Sequence, residues 1–316
     1  MSHWGCPSCE PRSITAPRST WPAAAAPTRA ACARRSRSRS SWHAARAAPV
    51  ASAAPMEGHR ARKRFSQNFL HDAHYVARIV DAIAPAPDDR IVEIGPGLGA
   101  LTAPLVERAG HVTCVEIDRD LAARLRARFA PAQLTVIEAD ALQLDWRALV
   151  DADPRPVKVV GNLPYHISTP LLFALLPIAE RVTAQHFMLQ KEVVDRIVAA
   201  PGSKDYGRLS VMLQFRYRVA RLFVVPPGAF SPPPKVHSAI VRMLPIPPAE
   251  LPRVDADSFA RVVAAAFGQR RKTLRNALAG LLPEEAIRAA GVDPSARAET
   301  LAVEHFVRLT AQLAAR

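Results

Sequence analysis

An apolar run of strand character leads directly into a turn with three glycines in the segment Ile91-Val92-Glu93-Ile94-Gly95-Pro96-Gly97-Leu98-Gly99. Open α/β sheets bind their ligands beyond the carboxyl ends of the strands, at turns of this kind. Glycine suits such a turn because it carries no side chain that would clash in a tight backbone. The segment therefore predicts a buried strand of an α/β sheet and, directly after it, a ligand-binding loop.

Strand-like and helical patterns alternate around this segment. A helix is expected from Asp72, a suitable N-cap, and another is opened by Ser168-Thr169-Pro170, which offers a capping residue and an early proline. Because strands that alternate with helices form parallel sheets, the order predicts an α/β fold of Rossmann-like type. The predicted strands are residues 91–94, 112–116, 134–138, 157–160, 185–189 and 237–243, and a further helix is expected over 192–199.

A proline-rich stretch divides the chain near residue 246. Four prolines lie between residues 245 and 252, and helical patterns alone follow them. We expect a Rossmann-like domain over residues 56–246 and a small α-helical C-terminal domain over residues 247–316. Residues 1–55, rich in Ala, Pro, Ser and Arg, are typical of a disordered low-complexity tail. Two origins of the tail stay open: a mis-assigned start upstream of Met56, or an organellar transit peptide.

The charge of the chain favours a polyanionic partner. The formal net charge is +14, and residues 1–55 carry half of this excess. Positive charge drives association with phosphates through release of their counterions, so nucleic acid is the expected partner. Apolar runs in this sequence stay well below the roughly 20 residues that a membrane helix needs, and no membrane span is expected.

Cysteine usage points to a reducing compartment. Three of the four cysteines lie in residues 1–55, and Cys114 is the fourth, so a disulfide framework is not expected. No second pair at zinc-finger spacing follows Cys6 and Cys9, and no metal site is expected. We predict a cytoplasmic protein, with a mitochondrial location as the alternative if the tail is a transit peptide.

The glycine loop and three acids predict the cofactor. A dinucleotide fingerprint has GxGxxG spacing and holds a pyrophosphate, whereas this loop is shorter and Glu93 adds negative charge beside it. A cofactor with an amino group and no phosphate fits better. Glu116 ends the next strand, where an acid binds ribose hydroxyls, and Asp140 follows the third strand, where it can meet an adenine amine. With Gly95 and Gly97, these acids match S-adenosyl-L-methionine.

The segment Gly161-Asn162-Leu163-Pro164-Tyr165 predicts the reaction. The Asn162 side-chain oxygen and a backbone carbonyl of Leu163 or Pro164 can accept both hydrogens of an adenine amine. Such acceptors favour the tetrahedral nitrogen that attacks a methylsulfonium in line. Tyr165 can stack on the extruded base. No strong general base is required, because the methylated amine releases its proton to water.

These motifs resemble the family of small-subunit (16S) ribosomal RNA adenine dimethyltransferases, the KsgA/RsmA family. The resemblance runs from about Arg62 to the C-terminus. Two residues depart from the family pattern: Ser66 stands where Gly is usual, and His166 where Asn commonly follows the Tyr. The matching segments are residues 63–70, 93–102, 116–118, 162–165, 190–193, 206–210 and 230–236.

The resemblance implies specific roles and partners. The product is dimethyladenosine at two adjacent positions in a hairpin loop near the 3′ end of the small-subunit rRNA, hence a role in ribosome biogenesis. The implied partners are this rRNA and the small ribosomal subunit, with no membrane and no metal. The resemblance implies a second stacking aromatic at Phe230. The implied cofactor contacts are Asn68, Leu70, Gly95, Glu116, Asp140 and Asn162.

A basic run in the C-terminal part is expected to dock RNA. We predict a docking face formed by Arg270, Arg271, Lys272 and Arg275, on a helix whose Leu274, Leu278 and Leu281 point to the core. A solvated helix face is the alternative. Positive charge at the start of a helix is mildly unfavourable for the dipole, so stability alone does not explain the run.

Other functions remain open alternatives. A non-catalytic RNA- or DNA-binding factor on the same scaffold is disfavoured by the intact 162–165 loop. A nicotinamide-dependent oxidoreductase is disfavoured by the glycine spacing and Glu93. A large-subunit adenine methyltransferase of the antibiotic-resistance type would share the chemistry, but residues 267–273 and 291–294 resemble the small-subunit enzyme more closely. We favour a structural role for His166, because the mechanism requires no base there.

Overall fold

The computed structural model describes residues 67–269 and 271–314, which all belong to one compact unit. The expectations for the tail 1–55, for Ser66 and for Arg270 lie outside these described residues. The described strands are β1 (Phe69–Leu70), β2 (Arg90–Ile94), β3 (Val112–Glu116), β4 (Leu134–Glu138), β5 (Val157–Asn162), β6 (Val182–Gln190), β7 (Tyr217–Val225), β8 (Phe230–Ser231) and β9 (Ser238–Pro245).

Helices occupy most of the connections between these strands. In the α/β part they are α1 (Ala73–Ile83), α2 (Thr102–Ala109), α3 (Arg119–Arg128), α4 (Trp146–Asp151), α5 (Ser168–Ala174), α6 (Lys191–Ile197) and α7 (Arg208–Gln214). After the last strand come α8 (Ala256–Phe267), α9 (Leu274–Leu278), α10 (Glu284–Ala289) and α11 (Val303–Ala314).

Seven strands form one mixed sheet in the order β4-β3-β2-β5-β6-β9-β7. The first five in this order are parallel, and β9 and β7 close the sheet in antiparallel pairs. The chain runs outward through β2, β3 and β4, then returns to place β5 beside β2. This reversal is the topological switch point at which open α/β sheets bind ligands. The predicted Rossmann-like α/β fold is confirmed.

The two predicted helix starts differ in the structure. Asp72 caps α1 as expected, since its side chain accepts the backbone N–H groups of His74 and Tyr75. Ser168 is not the cap of α5 but its first residue, and the cap position belongs to Ile167. The Ser168 hydroxyl instead donates to the Pro164 carbonyl at 3.0 Å. The helix begins at Ser168, as the segment Ser168-Thr169-Pro170 predicts, but the cap position has no side-chain hydrogen bond, so the expected capping residue is not present.

Strand β7 has no counterpart among the predicted elements. It is an edge strand whose side chains are mostly half-buried, and a bulge between Arg221 and Phe223 shifts its pairing with β9. Both features weaken the period-two alternation by which a strand is recognised. The pairing of β1 with β8 was not predicted either, because each strand has two residues and they are distant in sequence.

Apolar side chains form three buried clusters. Two of them cover the two faces of the sheet, around Phe187 and Leu171 on one face and around Ile91 and Leu105 on the other. Burial of each such side chain contributes about 1.5–3 kcal/mol, so the faces hold the strand ends in register. Rigid strand ends in turn fix the loops that follow them.

The third cluster joins the C-terminal helices to the preceding α/β part. Phe259 of α8 and Phe306 of α11 are fully buried in it. Phe215, which follows α7, stacks on Phe259 with ring centroids 4.0 Å apart. The expected helical segment after residue 246 is present, and its core also includes residues from 199–215.

Candidate active site

A cavity of about 300 Å³ opens at the carboxyl ends of the parallel strands. Loops after β2, β3, β4 and β5 line it, together with residues 67–70 around β1. All six predicted cofactor contacts lie along this cavity, and so do Leu163, Pro164 and Tyr165 of the loop after β5. Parallel strands bring these distant segments together because their carboxyl ends share one edge of the sheet.

The glycine loop after β2 depends on glycine at Gly97. This residue has a φ of +57°, a left-handed conformation that other residues rarely adopt. A Cβ atom there would also lie 3.1 Å from the Phe69 ring. Gly95 N donates to Val115 O at 2.9 Å, which ties the loop to β3. The loop therefore approaches the cavity with its backbone.

Glu116, at the end of β3, presents an oriented carboxylate to the cavity. Its Oε2 accepts from Gly97 N at 3.2 Å, and its Oε1 accepts from Asp118 N at 2.9 Å. The side chain is 5% exposed, and this burial raises its pKa although the backbone N–H groups of Asp118 and Gly97 act in the opposite direction. These two donors hold the carboxylate still, so its remaining lone pairs can accept from ligand hydroxyl groups.

Asp140 follows β4 on the adjacent side of the cavity. Its Oδ1 accepts from Leu142 N at 2.9 Å, and its Oδ2 accepts from Gln143 Nε2 at 3.2 Å. Two apolar side chains beside these acids, Ile117 and Leu142, are 48% and 37% exposed and also line the cavity. The sequence reasoning missed them. Their signal was an apolar residue directly after, or two residues after, an acid at a strand end.

Glu93, in strand β2, is buried and also lines this cavity. Thr102, the first residue of α2, donates its hydroxyl to Glu93 Oε2 at 2.6 Å, and the Cys114 thiol donates to the same oxygen at 3.7 Å. Burial raises the pKa of Glu93 to about 7, with the hydrogen bonds from Thr102 and Cys114 acting in the opposite direction. This carboxyl group therefore titrates near neutral pH at the edge of the cavity.

Residues 67–70 form a strap across the cavity. Gln67 Nε2 donates to Asp118 Oδ2 at 3.2 Å, and β1 pairs with β8 on the other side. Asn162 Nδ2 donates to Asn68 O at 3.1 Å. This bond fixes the Asn162 amide, so its Oδ1, at the other end of the planar amide group, is left as the acceptor. Gln67 was not among the predicted site residues, since its hydrogen bond spans 51 residues.

The structure distinguishes between the two backbone carbonyls proposed as acceptors. Pro164 O accepts from Ser168 Oγ at 3.0 Å and from Ile167 N at 3.2 Å. A carbonyl oxygen has two lone pairs, and both are engaged here. Leu163 N donates to Met188 O at 3.1 Å, which ties the preceding Asn162–Leu163 peptide to β6, and Leu163 O is on the next peptide. Leu163 O is therefore the better acceptor for a ligand.

Tyr165 and His166 follow at the mouth of the cavity. Tyr165 is half-buried, and its Oη shares a hydrogen bond of 2.9 Å with Ser238 Oγ. His166 is exposed and also lines the cavity. Ahead of the loop, a Cβ atom at Gly161 would lie 2.4 Å from Ile94 O, so only glycine allows β5 this close to β2.

Phe230 does not line the cavity. It is 3% exposed, belongs to a buried apolar cluster and pairs with Leu70 where β8 meets β1. Phe230 therefore packs against β1 beside the strap, and its role as a second stacking aromatic stays a prediction.

The charge of the cavity constrains its ligand. Three acids line it, Glu93, Glu116 and Asp140, and the described lining residues include neither Lys nor Arg. An acidic lining suits a ligand that carries an amino group and a cationic sulfur, and it opposes a pyrophosphate. The residues present thus fit S-adenosyl-L-methionine. Across residues 67–269 and 271–314, no group of three or more His, Cys, Asp and Glu side chains is arranged to hold a metal ion.

Three of the predicted RNA-docking residues, Arg271, Lys272 and Arg275, do not line this cavity. Helix α9 begins only at Leu274, so Arg271 and Lys272 precede it rather than share its face, contrary to the predicted helix. Arg271, Lys272 and Arg275 are exposed, and Arg275 Nη1 lies 3.6 Å from Glu284 Oε2. We call residues 271–275 the basic segment. Of the three leucines expected in the core, Leu274 and Leu278 are fully buried and Leu281 partly so.

The chain is similar to known proteins in sequence and in fold. Residues 58–315 match the family model "Ribosomal RNA adenine dimethylase". Proteins from Aromatoleum aromaticum and Bordetella petrii are 58% and 59% identical over 261 and 258 residues. The matches cover 83% and 81% of this chain and 97% and 96% of the relatives. Both relatives are named "Ribosomal RNA small subunit methyltransferase A", as is a protein from Thiobacillus denitrificans that is 56% identical over 258 residues, covering 82% of this chain and all of the relative.

Two solved structures have similar folds. The 23S rRNA methyltransferase ErmE superposes with a TM-score of 0.60 at 29% identity, over 78% of this chain and 100% of that one. A dimethyladenosine transferase from Plasmodium falciparum gives 0.64 at 24% identity, over 76% and 95% of the chains, and supports the fold alone. None of the described helices is long and apolar enough to cross a membrane.

Proposed function

Because this chain belongs to the family of ribosomal RNA adenine dimethylases, we propose that its acid-lined cavity and its 162–165 loop act as one methyl-transfer site. The chain is an S-adenosyl-L-methionine-dependent methyltransferase that dimethylates adenosines of small-subunit (16S) rRNA. The observation that carries the proposed site is the Asn162 amide, whose Nδ2 donates to Asn68 O at the cavity. One residue thereby connects the cofactor side with the base side.

The cavity residues hold the cofactor by matching its polar groups. Glu116 accepts hydrogen bonds from the ribose hydroxyls, and Asp140 meets the adenine amine. Asn68, Leu70 and Gly95 line the remaining binding surface. Bound there, S-adenosyl-L-methionine supplies an electrophilic methyl group on a sulfonium sulfur. The acidic lining favours this positive charge, because opposite charges attract strongly in a partly buried site.

Asn162 Oδ1 and Leu163 O orient the target amine. Each accepts one N–H of the adenine amino group, which draws the hydrogens out of the plane of the ring. The nitrogen lone pair is then directed at the methyl group rather than delocalised. Both residues are held before the base arrives, because Asn162 Nδ2 donates to Asn68 O and Leu163 N donates to Met188 O. Preorganised acceptors that fit the tetrahedral nitrogen lower the barrier to transfer.

Tyr165 provides the stacking surface for the extruded base, and Pro164 stiffens the loop that carries it. Stacking of a base on an aromatic ring contributes about 1–3 kcal/mol, which offsets part of the cost of leaving the RNA stack. The methylated nitrogen releases its proton to water. Phe230 packs against Leu70 of β1, and the second stacking role that the family resemblance implies for it is part of this proposal.

The proposal also covers the RNA target and the protein surface that binds it. We propose two adjacent adenosines in the hairpin loop near the 3′ end of 16S rRNA, within the small ribosomal subunit. The relatives named for the small subunit are 56–59% identical, against 29% for the 23S rRNA methyltransferase, which favours the small subunit as target. The basic segment and Arg270 would bind the phosphates of this RNA.

Domain division and location follow the same reasoning. We propose a methyltransferase domain over residues 56–246 and a helical domain over 247–316 that recognises the subunit. We propose the cytoplasm, where bacterial ribosomal subunits are assembled, and a function without membrane or metal. The named relatives come from bacteria, which gives no support to a mitochondrial location.

Methyl transfer to isolated ribosomal subunits tests the proposal. The protein and methyl-labelled S-adenosyl-L-methionine are incubated with undermethylated small subunits and, separately, with large subunits, and the labelled nucleoside is identified. We expect dimethyladenosine from small subunits, and no label with Asn162→Ala. Dimethyladenosine from large subunits alone would overturn the proposed target, and full activity of Asn162→Ala would overturn the proposed site.

A further inference from the structure

We propose that Ser238 is a positioning residue that holds the ring of Tyr165 in the orientation needed to stack on the target adenine. Ser238 Oγ and Tyr165 Oη lie 2.9 Å apart and share a hydrogen bond across 73 residues of sequence. Ser238 is fully buried and does not itself line the cavity. The proposal rests on the stacking role given to Tyr165 above and adds the residue that fixes that ring.

The sheet immobilises Ser238 from two sides. Ser238 is the first residue of β9 and pairs with Gln190 at the end of β6 and with Val225 at the end of β7. Directly before it, His237 O accepts from Lys191 N at 2.9 Å. A backbone paired on both edges has little freedom to move. The serine hydroxyl is therefore a fixed point beside the mouth of the cavity.

Tyr165 needs such a fixed point because it lies in a loop. A ring there turns about its two side-chain torsions unless its far end is held. The hydrogen bond to Ser238 holds that end, so the ring is ordered before the base arrives and binding costs less conformational entropy. Burial raises the pKa of the Tyr165 hydroxyl. The group thus keeps its proton at neutral pH, and the hydrogen bond persists.

A double-mutant cycle between Ser238→Ala and Tyr165→Phe tests this coupling. Each single variant should lower kcat for rRNA methylation by roughly 2- to 13-fold, the effect of one net hydrogen bond. Cofactor affinity should stay at the wild-type value in both. Because both variants remove the same hydrogen bond, the double variant should be no slower than the slower single variant.

Ser210→Ala is the matched control, since Ser210 is equally buried, donates to Arg196 O and does not line the cavity. Its kcat should equal that of the wild type. A double variant whose kcat falls by the product of the two single effects, or a Ser238→Ala enzyme with wild-type kcat, would overturn the proposal. So would a fall in cofactor affinity in Ser238→Ala that matches its fall in activity.

Tyr165→Ala separates this proposal from the proposed function. Wild-type activity in Tyr165→Ala would remove the stacking role itself, and with it the role of Ser238. If Tyr165→Ala is inactive but the effects of Ser238→Ala and Tyr165→Phe multiply in the double variant, the stacking role of Tyr165 stands. Only the positioning role of Ser238 is then overturned.

Discussion

We expect Glu116→Ala to weaken S-adenosyl-L-methionine binding by roughly 10- to 160-fold. The carboxylate is 5% exposed at the end of β3. Gly97 N and Asp118 N each donate to one of its oxygens, at 3.2 and 2.9 Å. The remaining acceptor capacity of the two oxygens is available for the ribose hydroxyls. Alanine removes both acceptors and also frees the glycine loop from the Glu116 side chain.

The two acceptor oxygens belong to one carboxylate and their contributions are not additive, so the magnitude is taken as that of one charged hydrogen bond. Such a bond contributes about 1.5–3 kcal/mol, and 1.36 kcal/mol corresponds to a tenfold change in affinity. Glu116→Gln keeps the shape of the side chain and tests whether that shape is sufficient for cofactor binding. Its amide nitrogen would face the N–H of Gly97 or Asp118, and two donors cannot pair. We therefore expect Glu116→Gln to bind the cofactor less tightly than the wild type as well.

Calorimetric titration with S-adenosyl-L-methionine measures the dissociation constants, and circular dichroism verifies that each variant is folded. Glu138→Ala is the matched control, because Glu138 ends the neighbouring strand opposite Glu116 but is exposed, pairs with Arg126 and does not line the cavity. Its affinity should remain within about twofold, since exposed ion pairs contribute little. An unchanged dissociation constant in folded Glu116→Ala, or equal weakening in Glu138→Ala, would refute the assignment.

Three further predictions concern catalysis, stability and docking. Asn162→Ala should abolish methyl transfer while the protein still binds the ribosomal subunit, as measured by labelled-methyl incorporation and subunit pelleting; wild-type turnover would exclude the acceptor role. Because burial raises the pKa of Glu93 from 4.5 to about 7, its stabilising contribution is complete below pH 4.5 and is lost as the pH rises through about 7. The free energy of unfolding, measured with urea, should decrease as the pH rises from 4.5 to about 7, and Glu93→Gln should make it less dependent on pH. The same pH dependence in the wild type and in Glu93→Gln would exclude this role of Glu93. Changing the three cations of the basic segment to alanine should reduce the slope of log affinity against log salt by about 0.7–0.9 for each phosphate that the protein no longer neutralises, with cofactor binding unchanged. An unaltered slope in subunit-binding titrations would make the segment an ordinary solvated surface.

Much of the fold could be predicted because its signals are local. The strands before Gly95 and ending at Glu116 are short apolar runs with clear ends, and Asp72 indicates the start of the helix that it caps. Strand β7 was missed because its bulge and half-burial remove the alternation. The sequence predicted a helix that includes Arg271, whereas helix α9 begins at Leu274. The spacing of charged residues does not indicate where a helix begins.

For the candidate site, too, the sequence predicts which residues meet, and long-range contacts decide the details. The sequence alone places Gly95, Glu116, Asp140 and Asn162 at one edge, because parallel strands in βαβ order must end there together. Their chemical roles remain predictions. Long-range hydrogen bonds decide the details: the Asn162 amide is oriented by a carbonyl 94 residues away, and Leu163 O becomes the better acceptor only because Ser168 and Ile167 occupy Pro164 O.

The family and the chemistry of this chain were determined by its sequence, since the residue types in the two loops specify which ligand groups can be bound. Packing decided what each side chain can reach. Phe230 is aromatic and close in sequence to Ser238, yet it is buried under the strap while Ser238 holds Tyr165. Such assignments depend on which strands pair, and strand pairing joins residues whose separation along the chain leaves no local pattern.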